Sequence, residues 1–168
     1  LEGDAYDAKE KLAEHHEAND NHALADVHLT QMVLSYTFGD FAEAVQFGDE
    51  GEQYLDGLMA MYVSLVWYFY DSLARLALCR RTAGGERRRL LRKVRSNPRK
   101  LKKWARHNED NHRHKVDLVL AERARFAGKN DRAMALYDQA TEGAHRGGRL
   151  SEQAPGTELA AGLYHERR

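Results

Sequence analysis

Tyr36-Thr37-Phe38-Gly39-Asp40-Phe41-Ala42-Glu43-Ala44 and Arg125-Phe126-Ala127-Gly128-Lys129-Asn130-Asp131-Arg132-Ala133 are two versions of one pattern. Each passes from a helix-compatible segment into glycine, then a polar residue suited to capping, then an alanine five places after the glycine. The spacing has a physical reason. Glycine takes the positive φ of a tight turn between helices without a Cβ penalty, and the alanine lets the second helix lie close against the first. Two such corners predict antiparallel helix pairs. In the second copy the pattern continues through Tyr137 and Ala140, whereas in the first Gly48 and Gly51 stand at those places.

Helical signals extend from both corners. A polar helix is expected from Asp4 to about Glu17. A second is expected from Asn21 to about Phe38, with Leu24, Val27 and Leu34 on one face and Leu29, Met32, Val33 and Tyr36 beside it. The next carries Phe41, Ala44, Val45 and Phe47 towards Tyr54 and Leu55, and Asp56-Gly57 reads as a helix junction. Leu58 to about Arg80 is apolar on all sides over its first half, which marks a helix central to a layered core. Membrane crossing needs about 20 apolar residues, and this run meets Asp71, Ser72 and Arg75 well before that.

Gly84-Gly85 then closes that helix, and a basic helix is expected from Glu86 to Asn97-Pro98. Proline there suits the first position of a new short helix bearing Leu101, Trp104 and Ala105. After a polar corner from Asn108 to Asn111, Val116, Val119, Leu120, Ala124 and Ala127 recur at helical spacing. Their partner helix carries Ala133, Met134, Tyr137, Ala140 and Ala144; Gly147-Gly148 ends it, and a last helix starts near Pro155. Sustained apolar/polar alternation is nearly absent, so strands are not expected.

These readings predict an all-α fold. Antiparallel helix pairs would stack into a right-handed-type α-solenoid, with 1–168 forming a single helical-repeat segment. Its least regular pair covers about 57–107 and its clearest repeat about 111–147. The Gly39 and Gly128 corners resemble the tetratricopeptide repeat, whose unit is about 34 residues. In such stacks each unit buries its face only against its neighbours, so terminal units expose apolar surface and favour self-association.

A narrower resemblance lies in the last seventy residues. It rests on Asn97, Lys100, Leu101, Trp104, Ala105, Asn111, His114 and Lys115, followed by Ala121-Glu122, Gly128, Ala133-Met134, Leu136-Tyr137-Asp138-Gln139-Ala140 and Glu158-Leu159-Ala160-Ala161. These residues resemble the helical-repeat region of large bacterial and fungal signalling proteins. There the region follows a serine/threonine kinase domain and an AAA-type predicted ATPase domain, and precedes a GAF domain and often a histidine kinase. The resemblance implies a non-catalytic segment whose partners are protein domains, chiefly of the same parent chain. Two positions depart from that pattern: His112 replaces an apolar residue, and Pro155-Gly156 interrupts the last helix.

Composition agrees with a polar, non-membrane chain: 42% of residues are hydrophobic and 31% charged. The single cysteine, Cys79, excludes an internal disulfide and a cysteine-based zinc site, and a reducing, cytoplasmic setting is expected. Leu1 opens the chain without a basic-then-apolar leader, and Arg168 follows a helical run, so a segment of a longer protein is expected. No P-loop, nucleophile elbow or G-x-G-x-x-G motif occurs, so no nucleotide, cofactor or catalytic role is expected. The nine histidines include His15-His16 and the group His107, His112 and His114, but their spacing does not place four ligands around one metal.

Charge is the remaining signal. The formal net charge is zero, yet residues 1–60 carry Lys9 and Lys11 as their only Lys or Arg, and Glu86 is the only acid between 80 and 106. The candidate interaction surface is therefore Arg87, Arg88, Arg92, Lys93, Arg95, Arg99, Lys100 and Lys103. A solvated helix face, or contact with the acidic first third or a neighbouring protein domain, is the favoured use. A free-standing adaptor that binds a peptide or helix is the alternative, and nucleic acid is the lesser one, since no nucleic-acid module accompanies the charge.

Overall fold

The computed structural model describes residues 8–57, 61–146, 159 and 161. All its regular elements are helical, and no strand occurs among the described residues. In order they are α1 (Ala8–Glu17), α2 (Asn21–Thr37), α3 (Phe41–Gly51), a 3-10 helix (Glu52–Gly57), α4 (Met61–Arg81), α5 (Gly84–Ala105), α6 (Glu109–Phe126) and α7 (Asn130–Arg146). The chain forms two compact units, Leu1–Leu78 and Cys79–Arg168. The expected features at Leu58, Gly147-Gly148 and Pro155 lie outside the described residues.

Both glycine corners form as the sequence predicts. Gly39 has φ +83° and Gly128 φ +69°. In each, the residue after glycine donates its amide to the carbonyl five residues back: Asp40 to Ser35 at 2.8 Å and Lys129 to Ala124 at 2.9 Å. This closes the helix end with the bond of a Schellman turn. The alanines five places on, Ala44 and Ala133, are fully buried. A third corner repeats the geometry without glycine. Asn19 takes φ +51°, Asp20 donates to His15 at 2.9 Å, and Leu24, again five places on, is buried. Asparagine substitutes for glycine in that region because its short polar side chain tolerates it. The Asp20 and Asp40 carboxylates then cap the following helices, accepting from the amides of Ala23 and Glu43.

Within the first unit, α4 accounts for Gly48 and Gly51, the places that Tyr137 and Ala140 hold after the second corner. A Cβ at Gly51 would overlap the Trp67 ring and lie 2.6 Å from the His28 Cβ. A Cβ at Gly48 would lie 2.7 Å from the Asp71 carboxylate. Trp67, Leu65, Leu73 and Leu76 are almost wholly buried, and each large apolar side chain so buried contributes about 1.5–3 kcal/mol. Where α7 carries Tyr137 and Ala140, α3 carries glycine and lets α4 supply the bulk.

Arg75 and His28 stand out among the polar residues buried in this unit. Arg75, 1% exposed, donates from Nε to Asp71 at 2.8 Å and from Nη2 to Asp49 at 2.6 Å. His28 stacks on Tyr54 with ring centres 5.7 Å apart, and its Nδ1 has no hydrogen-bond partner. Burial pushes the His28 pKa down, the Glu50 carboxylate opposes this, and His16 adds to it. The folded state therefore favours neutral His28. Its contribution to stability is present above the ordinary pKa of 6.5 and is lost as pH falls towards the lowered value. We expect the melting temperature to fall between pH 7.5 and pH 5, and to fall less in His28→Phe, which keeps the stack. Equal slopes in the two proteins would contradict this.

In the second unit, α5 departs from expectation. The sequence predicts a break at Asn97-Pro98, but the helix runs unbroken from Gly84 to Ala105 with Pro98 inside it. An interior proline removes one backbone hydrogen bond and costs about 3 kcal/mol. Packing outweighs that cost. Leu90, Val94, Asn97, Leu101 and Ala105 form one buried stripe that continues across the proline, so a break would misalign its second half.

The pair α6 and α7 is held by one acidic hub. Glu122, 3% exposed, accepts from Arg80 at 2.9 Å, from Arg125 at 3.4 Å and from the Tyr137 hydroxyl. Burial, followed by the Glu122 charge, pushes the Tyr137 pKa far above its ordinary value. Arg125 also donates to the Leu159 carbonyl at 3.1 Å, which ties the chain beyond α7 to α6.

Candidate interaction surface

All eight candidate cations lie on α5, but they do not form one face. Arg88, Arg92, Arg95 and Arg99 follow one another at steps of four, three and four residues, which aligns them along a single stripe. Each is exposed, and none has an acidic partner among the described residues. Lys102 and Arg106 extend the stripe beyond Arg99 and are also exposed. The buried stripe from Leu90 to Ala105 occupies the opposite side, so packing of the apolar face positions the charged one.

The remaining candidates divide off. Arg87 lies with its guanidinium 4.8 Å from the centre of the Phe126 ring, a cation–π contact that commits it to α6. Lys93 and Lys100 are half-buried on the flanks, and Lys103 is exposed at one edge. Glu86, the only acid in the stretch, meets Arg89 at 3.9 Å, too loosely to neutralise the helix.

Charge separates along the chain more sharply than the two stretches read from the sequence suggest. Residues 1–78 hold fifteen Asp and Glu against three Lys and Arg, and residues 79–168 hold eleven against twenty-three. The units thus carry formal charges of −12 and +12.

Other chemistry-bearing residues take structural places. Cys79 is fully buried, its Sγ 3.9 Å from the Arg87 carbonyl. His114 is buried against Lys115, whose Nζ lies 3.2 Å from its Nε2. No cluster of three or more His, Cys, Asp or Glu able to hold a metal occurs among the described residues. No described helix is long and apolar enough to cross a membrane. Sequence reasoning missed a second group of cations, Arg123, Lys129 and Arg132, because each stands among mixed charges in the linear order. The signal that could have found them is the helical row Leu120, Arg123, Ala124 and Ala127, which sets one cation in an otherwise apolar stripe.

Comparison with known proteins gives no match: no family model, no curated protein and no solved structure is significantly similar to the chain.

Proposed function

We propose that this chain is a non-catalytic interaction segment whose α5 stripe docks an acidic protein surface. The carrying observation is the row Arg88, Arg92, Arg95 and Arg99, exposed and without counter-ions on a helix whose other face is buried. A charged row of this kind raises encounter rates and fixes register with a partner of opposite sign. Residues 1–60, with Lys9 and Lys11 as their only Lys or Arg, have the charge such a partner needs.

The repeated corners at Asn19, Gly39 and Gly128 support reading the helix pairs as a tetratricopeptide-like α-solenoid. The resemblance over the last seventy residues supports placing the segment in a multidomain kinase, ATPase or histidine-kinase signalling protein, acting in the cytoplasm between neighbouring domains. On this reading the partner is another domain of the parent chain, and when the segment is alone the acidic residues 1–60 of a second copy stand in for it.

Zero-length carbodiimide cross-linking of the full chain at low salt, mapped by mass spectrometry, tests the docking. The exposed Lys102 and Lys103 are expected to link to carboxylates within residues 1–60 of a second copy. The links are expected to fade in 1 M salt, where the Debye length is about 3 Å. They should also disappear in the triple variant Arg88→Glu, Arg92→Glu, Arg99→Glu. Absence of such links, with tight salt-sensitive binding of a duplex DNA instead, would contradict the protein reading and favour nucleic acid.

A further inference from the structure

We propose that the cleft between the end of α6 and the start of α7 is a binding site for a phosphomonoester dianion on a short carbon stem. The cleft has a volume of about 210 Å³ and is lined by Leu120, Arg123, Ala124, Ala127, Lys129 and Arg132. Its chemistry is one-sided. Three cations surround an apolar floor of leucine and alanine, and no acid lines it.

These cations differ from the paired arginines of the same unit. Arg80 and Arg125 are held by Glu122, and Arg113 pairs with Asp117 at 3.0 Å. Arg123, Lys129 and Arg132 have no acidic partner among the described residues. Arg123 is half-buried as well, so its charge is poorly solvated. Burial, then the positive charges of Arg95 and Arg132, push its pKa down. A fold that gathers like charges beside an apolar floor raises its own energy unless an anion relieves the repulsion.

Size and charge together select the ligand class. Ligand pockets for drug-sized molecules hold roughly 300–1,000 Å³, so this one suits a single anionic group with a few carbons. The lining side chains only donate hydrogen bonds, which matches a group whose oxygens all accept. A phosphate monoester is such a group. It carries a charge of about −1.5 to −2 at pH 7, whereas a carboxylate would leave more of the repulsion in place. The guanidinium fork and the ammonium are the usual partners of phosphate oxygens. Leu120, Ala124 and Ala127 would contact the carbon stem. A small metabolite and a phosphoserine side chain share this chemistry.

Calorimetric titration of the full chain at constant ionic strength tests the site. The probes are inorganic phosphate and three short peptides of one sequence, bearing phosphoserine, serine or glutamate at the centre. Saturable binding of phosphate and of the phosphoserine peptide is expected, with none for serine. Binding should weaken below about pH 6, where the dianion takes up a proton. Arg123→Gln and Arg132→Gln should each weaken it roughly tenfold or more, the loss expected of a charge-assisted contact. Arg146→Gln, at the far end of α7, should bind as wild type.

A tighter phosphoserine peptide would point to a protein source, and equal binding of free phosphate to a small molecule. Melting curves guard against misfolding: Arg132→Gln without ligand should melt at or above the wild-type temperature, because it removes repulsion. The proposal fails if no probe saturates, if the glutamate peptide binds as well as phosphoserine, or if Arg132→Gln binds unchanged. A lower melting temperature for that variant would also count against it, since Arg132 would then serve the fold. The site is tested separately from the α5 docking, whose triple variant leaves Arg95 and all the lining residues intact.

Discussion

Arg75→Ala is expected to destabilise the chain by about 3–5 kcal/mol, the cost of breaking a buried ion pair by removing one partner. Its guanidinium is almost fully enclosed and is shared between Asp71 on α4 and Asp49 on α3. Burial alone would depress the Arg75 pKa, but Asp71 and Asp49 more than offset it and hold the group firmly charged. Truncation leaves the buried Asp71 carboxylate facing a void. With total stabilities of about 5–15 kcal/mol for a native domain, such a loss approaches unfolding. Replacing Arg75 and Asp71 together by Met and Leu is expected to cost less than Arg75→Ala, because the buried Asp71 carboxylate goes with its guanidinium and the remaining Asp49 is about a third exposed to water. Urea unfolding followed by circular dichroism measures both. A double variant less stable than the single one would show that the pair contributes through attraction, and not merely through mutual neutralisation.

The second large effect is steric. Gly51→Ala places a methyl group against the Trp67 ring and the His28 side chain, both buried and neither able to move outward. Overpacking of this kind costs typically about 1–3 kcal/mol, and the upper end is expected here because two rigid rings close the space. Gly48→Ala meets the Asp71 carboxylate, which Arg75 holds in place, and should cost somewhat less. Gly85→Ala, with nothing within 4 Å, should stabilise the chain by about 0.4–1 kcal/mol. The order of the three unfolding midpoints is the check. A neutral Gly51→Ala would mean that α4 does not pack against α3 as closely as described.

What the sequence revealed and what it concealed follow from the physics of each element. The corners at Gly39 and Gly128 were legible because a positive φ and a close approach leave glycine and alanine at a fixed spacing. The matching corner at Asn19 was hidden, since asparagine can take the same conformation without announcing it. The end of the basic helix was misplaced because proline is a local signal, while the Leu90–Ala105 stripe that overrides it is a tertiary one. Gly48 and Gly51 broke the pattern in sequence with no visible cause, and Trp67 and Asp71 supply the reason for their small size.

The candidate surface shows the same division. Its helix and charge were evident in order, but the separation of Arg88, Arg92, Arg95 and Arg99 from Arg87 depends on what Phe126 covers. The second cation cluster was not visible at all. Arg123, Lys129 and Arg132 come together only because the α6–α7 corner folds one helix end beside the next helix start.

Sedimentation velocity of the full chain, carried out between about 0.01 M and 1 M salt, bears most directly on the claim that this protein works by charge-complementary docking. Over that range the Debye length contracts from roughly 30 Å to about 3 Å. With formal charges of −12 and +12 on its two units, the chain is expected to associate reversibly at the low end and to be monomeric at the high end. The triple variant Arg88→Glu, Arg92→Glu, Arg99→Glu should stay monomeric throughout. A wild-type sedimentation coefficient that does not change with salt, or association that survives in the triple variant, would contradict the account.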